Sequence, residues 1–127
     1  MTEVVLDSSA VLADLRGEPG ADVVRSVSPA SYLSAINLAE VITKLIEAGT
    51  PPGEAGAIAE GLGYTIVVDD QARATSAGKL HARTRGAGVS LGGRFCLALA
   101  QELSLPALTA DRRWKTLELD IEITLIC

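Results

Sequence analysis

The sequence predicts an α/β fold: a central, mostly parallel sheet of about five short strands with helices on both faces. Three observations carry this expectation. Short Val/Ile/Leu runs alternate with longer segments of helical periodicity, the order that makes a parallel sheet with helical crossovers. The chain has 127 residues, the size of one domain. Nearly half of it (48%) is apolar, yet only 3% is aromatic, so the core must be aliphatic. A single domain over residues 1–127 is expected.

The elements follow in order. Residues 4–6 (Val-Val-Leu) form a short apolar run that ends at Asp7. Ser8 and Ser9 then offer a helix cap, and a helix is expected to about residue 15. Gly17, Pro19 and Gly20 interrupt the chain before a second short helix to about residue 27. Residues 31–33 read as a strand. Over residues 35–48, Leu38, Val41, Ile42 and Leu45 make one apolar stripe, with Asn37, Glu40, Lys44 and Glu47 off it. Gly49 is placed to stop that helix. Pro51-Pro52 opens another helical segment, since proline is tolerated in a first turn, and it ends near Gly61–Gly63.

Residues 64–68 read as a strand and residues 71–85 as a helix that is basic on one side, with Asp70 as its cap. Gly86 and Gly88 mark a loop. Residues 94–103 are almost entirely apolar and read as a buried helix. Residues 106–109 and 121–126 complete the strands. Trp114 is the only tryptophan and is expected to pack.

Charge is unevenly spread. The net charge is −5, but residues 1–70 carry three Lys/Arg against eleven Asp/Glu, whereas residues 71–115 carry eight against two. An acidic first half faces a basic middle segment, compatible with a phosphate-binding flank beside an acidic site and equally with a solvated basic helix face. Cys96 and Cys127 stand in no metal-ligand pair and no CxxC, so free thiols are expected. No apolar run approaches the roughly 20 residues of a membrane span. Without a signal-like start, a soluble cytoplasmic protein is expected.

Three carboxylates stand out by position. Asp7 follows the first strand, Asp111 follows the strand ending at Thr109, and Glu40 lies off the apolar stripe of its helix. Sites in parallel α/β sheets gather beyond the carboxyl ends of strands, so residues a hundred positions apart can converge there. Clustered carboxylates repel and call for a cation. Oxygen ligands without His or Cys favour Mg²⁺ or Mn²⁺, and such an ion can polarise a phosphodiester and activate water. Taken singly, each acid is equally a turn, cap or surface residue.

The segments around these acids carry more. Val4-Val5-Leu6-Asp7-Ser8-Ser9-Ala10, Ser34-Ala35-Ile36-Asn37-Leu38-Ala39-Glu40-Val41, Ser90-Leu91-Gly92-Gly93-Arg94-Phe95-Cys96-Leu97-Ala98-Leu99-Ala100 and Leu108-Thr109-Ala110-Asp111-Arg112-Arg113-Trp114 occur in that order along the chain. They resemble the four motifs of the PIN-domain family, and within it the VapC-type toxin ribonucleases of bacterial toxin–antitoxin pairs. The resemblance spans essentially the whole chain. It implies a three-layer PIN-like fold, a Mg²⁺- or Mn²⁺-dependent ribonuclease acting on RNA, a homodimer, and a cognate antitoxin that enters the acidic groove. It also implies that Asp7, Glu40 and Asp111 are the catalytic, metal-binding acids. Ser9, Asn37, Thr109, Arg94 and Arg112 are candidates for substrate contact or for support of the acids. Capping, turn or local pairing roles are open for each of these five.

The chain departs from the family at Gly93, where the motif normally holds an acidic ligand. Glu102 is no substitute, because nine residues on it is ~13 Å along the helix. With one ligand missing, an impaired or inactive nuclease is expected, whether the glycine is natural or introduced. The alternative is a non-cleaving module that binds RNA or an antitoxin. A phosphoacceptor domain of the response-regulator kind also clusters acids at strand ends. It calls for paired acids after the first strand and a lysine after the last, and neither is present.

Overall fold

The computed structural model describes residues 1–127. The strands are β1 (Val5–Leu6), β2 (Tyr32–Ser34), β3 (Thr65–Val67), β4 (Ala107–Thr109) and β5 (Ile123–Leu125). The helices are α1 (Ser8–Arg16), α2 (Ala21–Ser26), α3 (Ala35–Glu47), α4 (Pro52–Glu60), α5 (Gln71–Thr84) and α6 (Leu91–Leu103), with 3₁₀ turns at Arg85–Ala87 and Arg112–Thr116. The five strands make one all-parallel sheet in the order β3-β2-β1-β4-β5. The α/β architecture expected from the alternation is therefore present. No helix is long and apolar enough to cross a membrane.

Two cores flank the sheet, as the pleat requires. Leu6, Leu33 and Leu108 point to one side, where they pack with Val11, Val24, Val41 and Ala55 of α1–α4. Val5 and Ala107 point to the other, where they meet Leu97, Leu99, Ala77 and Trp114. β1 lies at the centre, and the chain leaves it first towards β2 and β3 and later returns to β4 on its other side. The crevice between the carboxyl ends of β1 and β4 is thus the point at which the winding direction reverses, where such sheets place ligands.

The largest boundary difference concerns α6. It begins at Leu91 rather than at residue 94, capped by the Ser90 hydroxyl, which accepts the Gly93 N–H at 3.1 Å. Two glycines in its first turn disfavour helix by propensity and hid this start. The Gly86–Gly88 loop contains a 3₁₀ turn, closed by Gly88 in the left-handed region (φ 64°).

The acids after β3 are structural. Asp70 caps α5, its side chain accepting the Arg73 N–H at 2.9 Å, as its position before the helix suggested. Asp69 accepts the Ile36 N–H at the start of α3 (2.9 Å) and pairs with Arg73 at 3.1 Å. Arg73 is only 5% exposed; it also donates to the Val68 carbonyl and to Glu102 at 3.0 Å. One guanidinium therefore joins the end of β3, α5 and α6. Arg73→Met should lower unfolding stability by about 3 kcal/mol, because it leaves the Asp69 charge buried without its partner. Glu102→Gln should cost less than about 1 kcal/mol, since that carboxylate is 55% exposed. Urea denaturation of the two variants distinguishes these outcomes.

Candidate functional site

Asp7 leaves β1 as the residue before α1 and is 5% exposed. Its Oδ2 accepts two hydroxyl hydrogen bonds, from Ser9 at 2.6 Å and from Thr109 at 3.0 Å. These hydroxyls in turn hold the β4 exit. Ser9 Oγ accepts the Ala110 N–H and Thr109 Oγ1 accepts the Asp111 N–H, both at 3.0 Å. Burial pushes the Asp7 pKa above the usual carboxylate value; the Ser9 and Thr109 hydrogen bonds partly oppose the rise and the Glu40 charge adds to it. Of the roles open to Ser9 and Thr109, the structure places both hydroxyls on the Asp7 carboxylate. The capping expected of the two serines is absent: the residue in the cap position is Asp7, which makes no side-chain cap bond.

Glu40 faces the same crevice from α3. Its Oε1 accepts the Ser8 hydroxyl at 3.0 Å and the Asn37 amide at 2.8 Å. Asn37 is fully buried and is fixed on both sides. Its Nδ2 also donates to the Gly92 carbonyl at 3.0 Å, and its Oδ1 accepts from Ser34 Oγ at 2.9 Å. One helical turn separates Asn37 and Glu40, so they share a face. Gly92 is what lets α6 come this close, because a Cβ on it would fall on the Glu40 carboxylate. Ser8 and Gly92 were not singled out from the sequence. The serine reads as a cap, and a glycine's role in close approach is visible only once its neighbour is placed.

Asp111 lies apart from this pair. Both its oxygens are held by Arg113, Oδ1 by Nε at 3.0 Å and Oδ2 by Nη2 at 2.7 Å. The Arg113 side-chain hydrogen bonds hold the Asp111 pKa below the usual value against the opposing effect of burial. The arginine bonded to Asp111 is thus Arg113; Arg112 is exposed and makes no such bond. Arg94 does not enter the acidic crevice. Its Nη1 donates to the Ala77 carbonyl of α5 at 3.1 Å, which directs the guanidinium to the α5 side. Its Nε is buried and unpaired.

At Gly93 the space a side chain would use is taken. A Cβ there would lie 2.8 Å from Val89 Cγ1 and 2.9 Å from Trp114 Cζ2. Trp114 is 2% exposed and belongs to the core on the α6 side. Beneath the crevice lies Cys96, wholly buried, its thiol pushed well up by burial and further by the charges of Asp7 and Glu40.

The sequence resemblance implies a divalent ion held by oxygen ligands. Asp7 and Glu40 supply hard oxygens at one place. However, no group of three Asp, Glu, His or Cys side chains is close enough to hold an ion. Gly93 offers no ligand, and Asp111 is bound to Arg113. As placed, these residues do not make a complete ion site.

Two measurements probe this geometry. A carboxyl whose folded pKa lies above its unfolded value destabilises the fold as pH rises through that interval. Asp7→Asn should therefore raise the melting temperature at pH 7, and the gain should fade as pH drops towards about 3, where the carboxyl is protonated in both states. Equal melting temperatures at pH 7 would contradict the assignment. Gly93→Ala should lose about 1–3 kcal/mol by overpacking against Val89 and Trp114. Gly78→Ala, in α5 with nothing within 4 Å, should instead gain about 0.5–1 kcal/mol from helix propensity.

Comparison with known proteins supplies the family. None of the curated proteins matches the chain by sequence. In fold it is similar to a toxin–antitoxin complex from Klebsiella pneumoniae, with TM-score 0.76 and 16% identity over 98% of each chain. It is also similar to DNA-bound VapBC from Salmonella typhimurium, with TM-score 0.75 and 19% identity over 100% of both chains. A third likeness is to a Mycobacterium tuberculosis VapC toxin described as cleaving the sarcin–ricin loop. There the TM-score is 0.68 at 16% identity, over 83% of this chain and 87% of that one. Identities this low speak to fold alone. The family model of the PIN domain, however, matches residues 4–118, a span that runs from the strand before Asp7 to beyond Asp111. Sheet order, the acids at the strand ends and that match agree: the chain belongs to the PIN-domain family.

Proposed function

We propose that this chain is a ribonuclease-type toxin of a toxin–antitoxin pair whose own RNA cleavage is impaired. The observation that carries the reading is the state of the crevice beyond β1 and β4. Asp7 and Glu40 are buried or half-buried and oriented by Ser8, Ser9, Asn37 and Thr109. The other two family positions contribute nothing there: Gly93 lacks a side chain, and Asp111 is engaged by Arg113.

A divalent ion such as Mg²⁺ or Mn²⁺ would supply Lewis acidity towards a phosphodiester and a more acidic water. In this chain Asp7 and Glu40 are the acids best placed towards such an ion. The hydroxyls and Asn37 fix their orientation and limit the loss of side-chain freedom on binding. The remaining ligands would have to be water, which Mg²⁺ accepts. Partners carry over from the toxins of similar fold: a cognate antitoxin, whose arginine or lysine suits an acidic crevice, a second copy of the chain, and a cytoplasmic RNA substrate. The alternative, a module that binds RNA or antitoxin without cutting, rests on the same incomplete ligand set.

Cleavage of a single-stranded RNA in Mn²⁺ tests the reading. The chain should cut slowly, and Asp7→Asn should abolish the cutting. Gly93→Asp combined with Val89→Ala and Trp114→Phe, which clear the two side chains a Cβ at this position would meet, should cut on the order of 100-fold faster, the effect of about 3 kcal/mol of transition-state stabilisation. Equal rates with and without the added carboxylate would remove Gly93 as the cause. Cleavage that survives Asp7→Asn would remove the site. No cleavage by the chain, together with RNA binding in EDTA, selects the non-cleaving module.

A further inference from the structure

A second feature lies beside Arg113, the arginine bonded to Asp111. It is a cleft of about 380 Å³ lined by Arg85, Gly86, Ala87, Gly88, Arg113 and Thr116. Two of these six residues are cationic and none is acidic. Arg85 is exposed and takes part in no ion pair or side-chain hydrogen bond, so its charge is free for a ligand. Arg113 spends Nε and Nη2 on Asp111, while Nη1 lies across Gly88, 3.0 Å from where a Cβ would stand. Gly88 is in the left-handed region (φ 64°), so the turn both needs glycine and leaves room for the guanidinium.

We propose that this cleft binds a backbone phosphate of single-stranded RNA, held by Arg85 and by the free edge of Arg113. The assignment rests on the ribonuclease reading above and adds a contact for the strand beside the acidic crevice. Three features favour it. Both guanidiniums line one cleft whose lining holds no acid, and Arg113, fixed by Asp111 through two of its nitrogens, keeps Nη1 for a phosphate oxygen. Arg113 links the cleft directly to Asp111, so a strand seated there passes beside the proposed site. The chain as a whole carries −5, and residues 71–115, with eight Lys/Arg against two Asp/Glu, are the segment of net positive charge; a polyanion is drawn to this segment, and the cleft opens within it.

Fluorescence anisotropy with a labelled single-stranded RNA, in EDTA and across a salt series, tests the proposal on the full chain. Arg85 makes no structural bond, so Arg85→Ala should fold as the parent does. It should bind several-fold more weakly at 0.1 M salt. The slope of log affinity against log salt should shrink by about 0.7, the signature of one lost phosphate contact to a single strand. Arg85→Lys should keep the slope. Arg16→Ala, at the far end of α1, should bind as the parent does. If Arg85→Ala binds with unchanged affinity and slope while the parent binds RNA, the cleft assignment falls and the ribonuclease reading stands. If the parent binds no RNA even at 0.05 M salt, both fall. If an acidic peptide of equal charge displaces the RNA and shows the same dependence on Arg85, the assignment to RNA falls.

Discussion

A carboxylate buried at the end of the central strand constrains everything near it. Asp7 sits in a place where its charge is poorly solvated, and a charge in that setting requires fixed donors. Ser9 and Thr109 supply them, and each hydroxyl also takes a backbone N–H from the β4 exit. The same few bonds therefore satisfy Asp7, seat the first turn of α1 and set the path of the segment that presents Asp111. Loosening them would release three elements at once. The arrangement also explains why these positions hold small hydroxyl residues, which can donate to an acid and accept from an amide together.

Backbone proximity is the second constraint. The paired glycines at the start of α6 are poor helix formers, yet they let the helix approach α3 on one side and the Arg112–Thr116 turn on the other. At Gly92 the neighbour is the Glu40 carboxylate; at Gly93 it is the Trp114 ring and Val89. The two positions differ in meaning. The first glycine brings Asn37 within reach of the α6 carbonyl and so orders Glu40. The second lets Val89 and Trp114 close over the first turn of α6, so that the core fills the space a side chain would need.

How much of this was legible follows from the kind of information involved. Strand–helix alternation is written in local hydrophobicity, so the parallel sheet and the strand-end positions of Asp7 and Asp111 could be read directly. Asn37 beside Glu40 follows from helical periodicity. Side-chain direction is a tertiary property. Ser8 is chemically fit to cap a helix and instead bonds an acid 32 positions away. Arg112 and Arg113 are adjacent and alike, and only the course of the 3₁₀ turn decides that Arg113 meets Asp111. Arg94 lies one residue from Gly93, yet the helix turns it towards α5. The start of α6 was hidden because glycine's preference and the Ser90 cap point in opposite directions.

Trp114 is the only indole in the chain, and it is sealed against the first turn of α6. Its emission is therefore a single-site optical gauge. Any event that parts α6 from the Arg112–Thr116 turn must let water reach one chromophore at one known position, with no second tryptophan to dilute the signal.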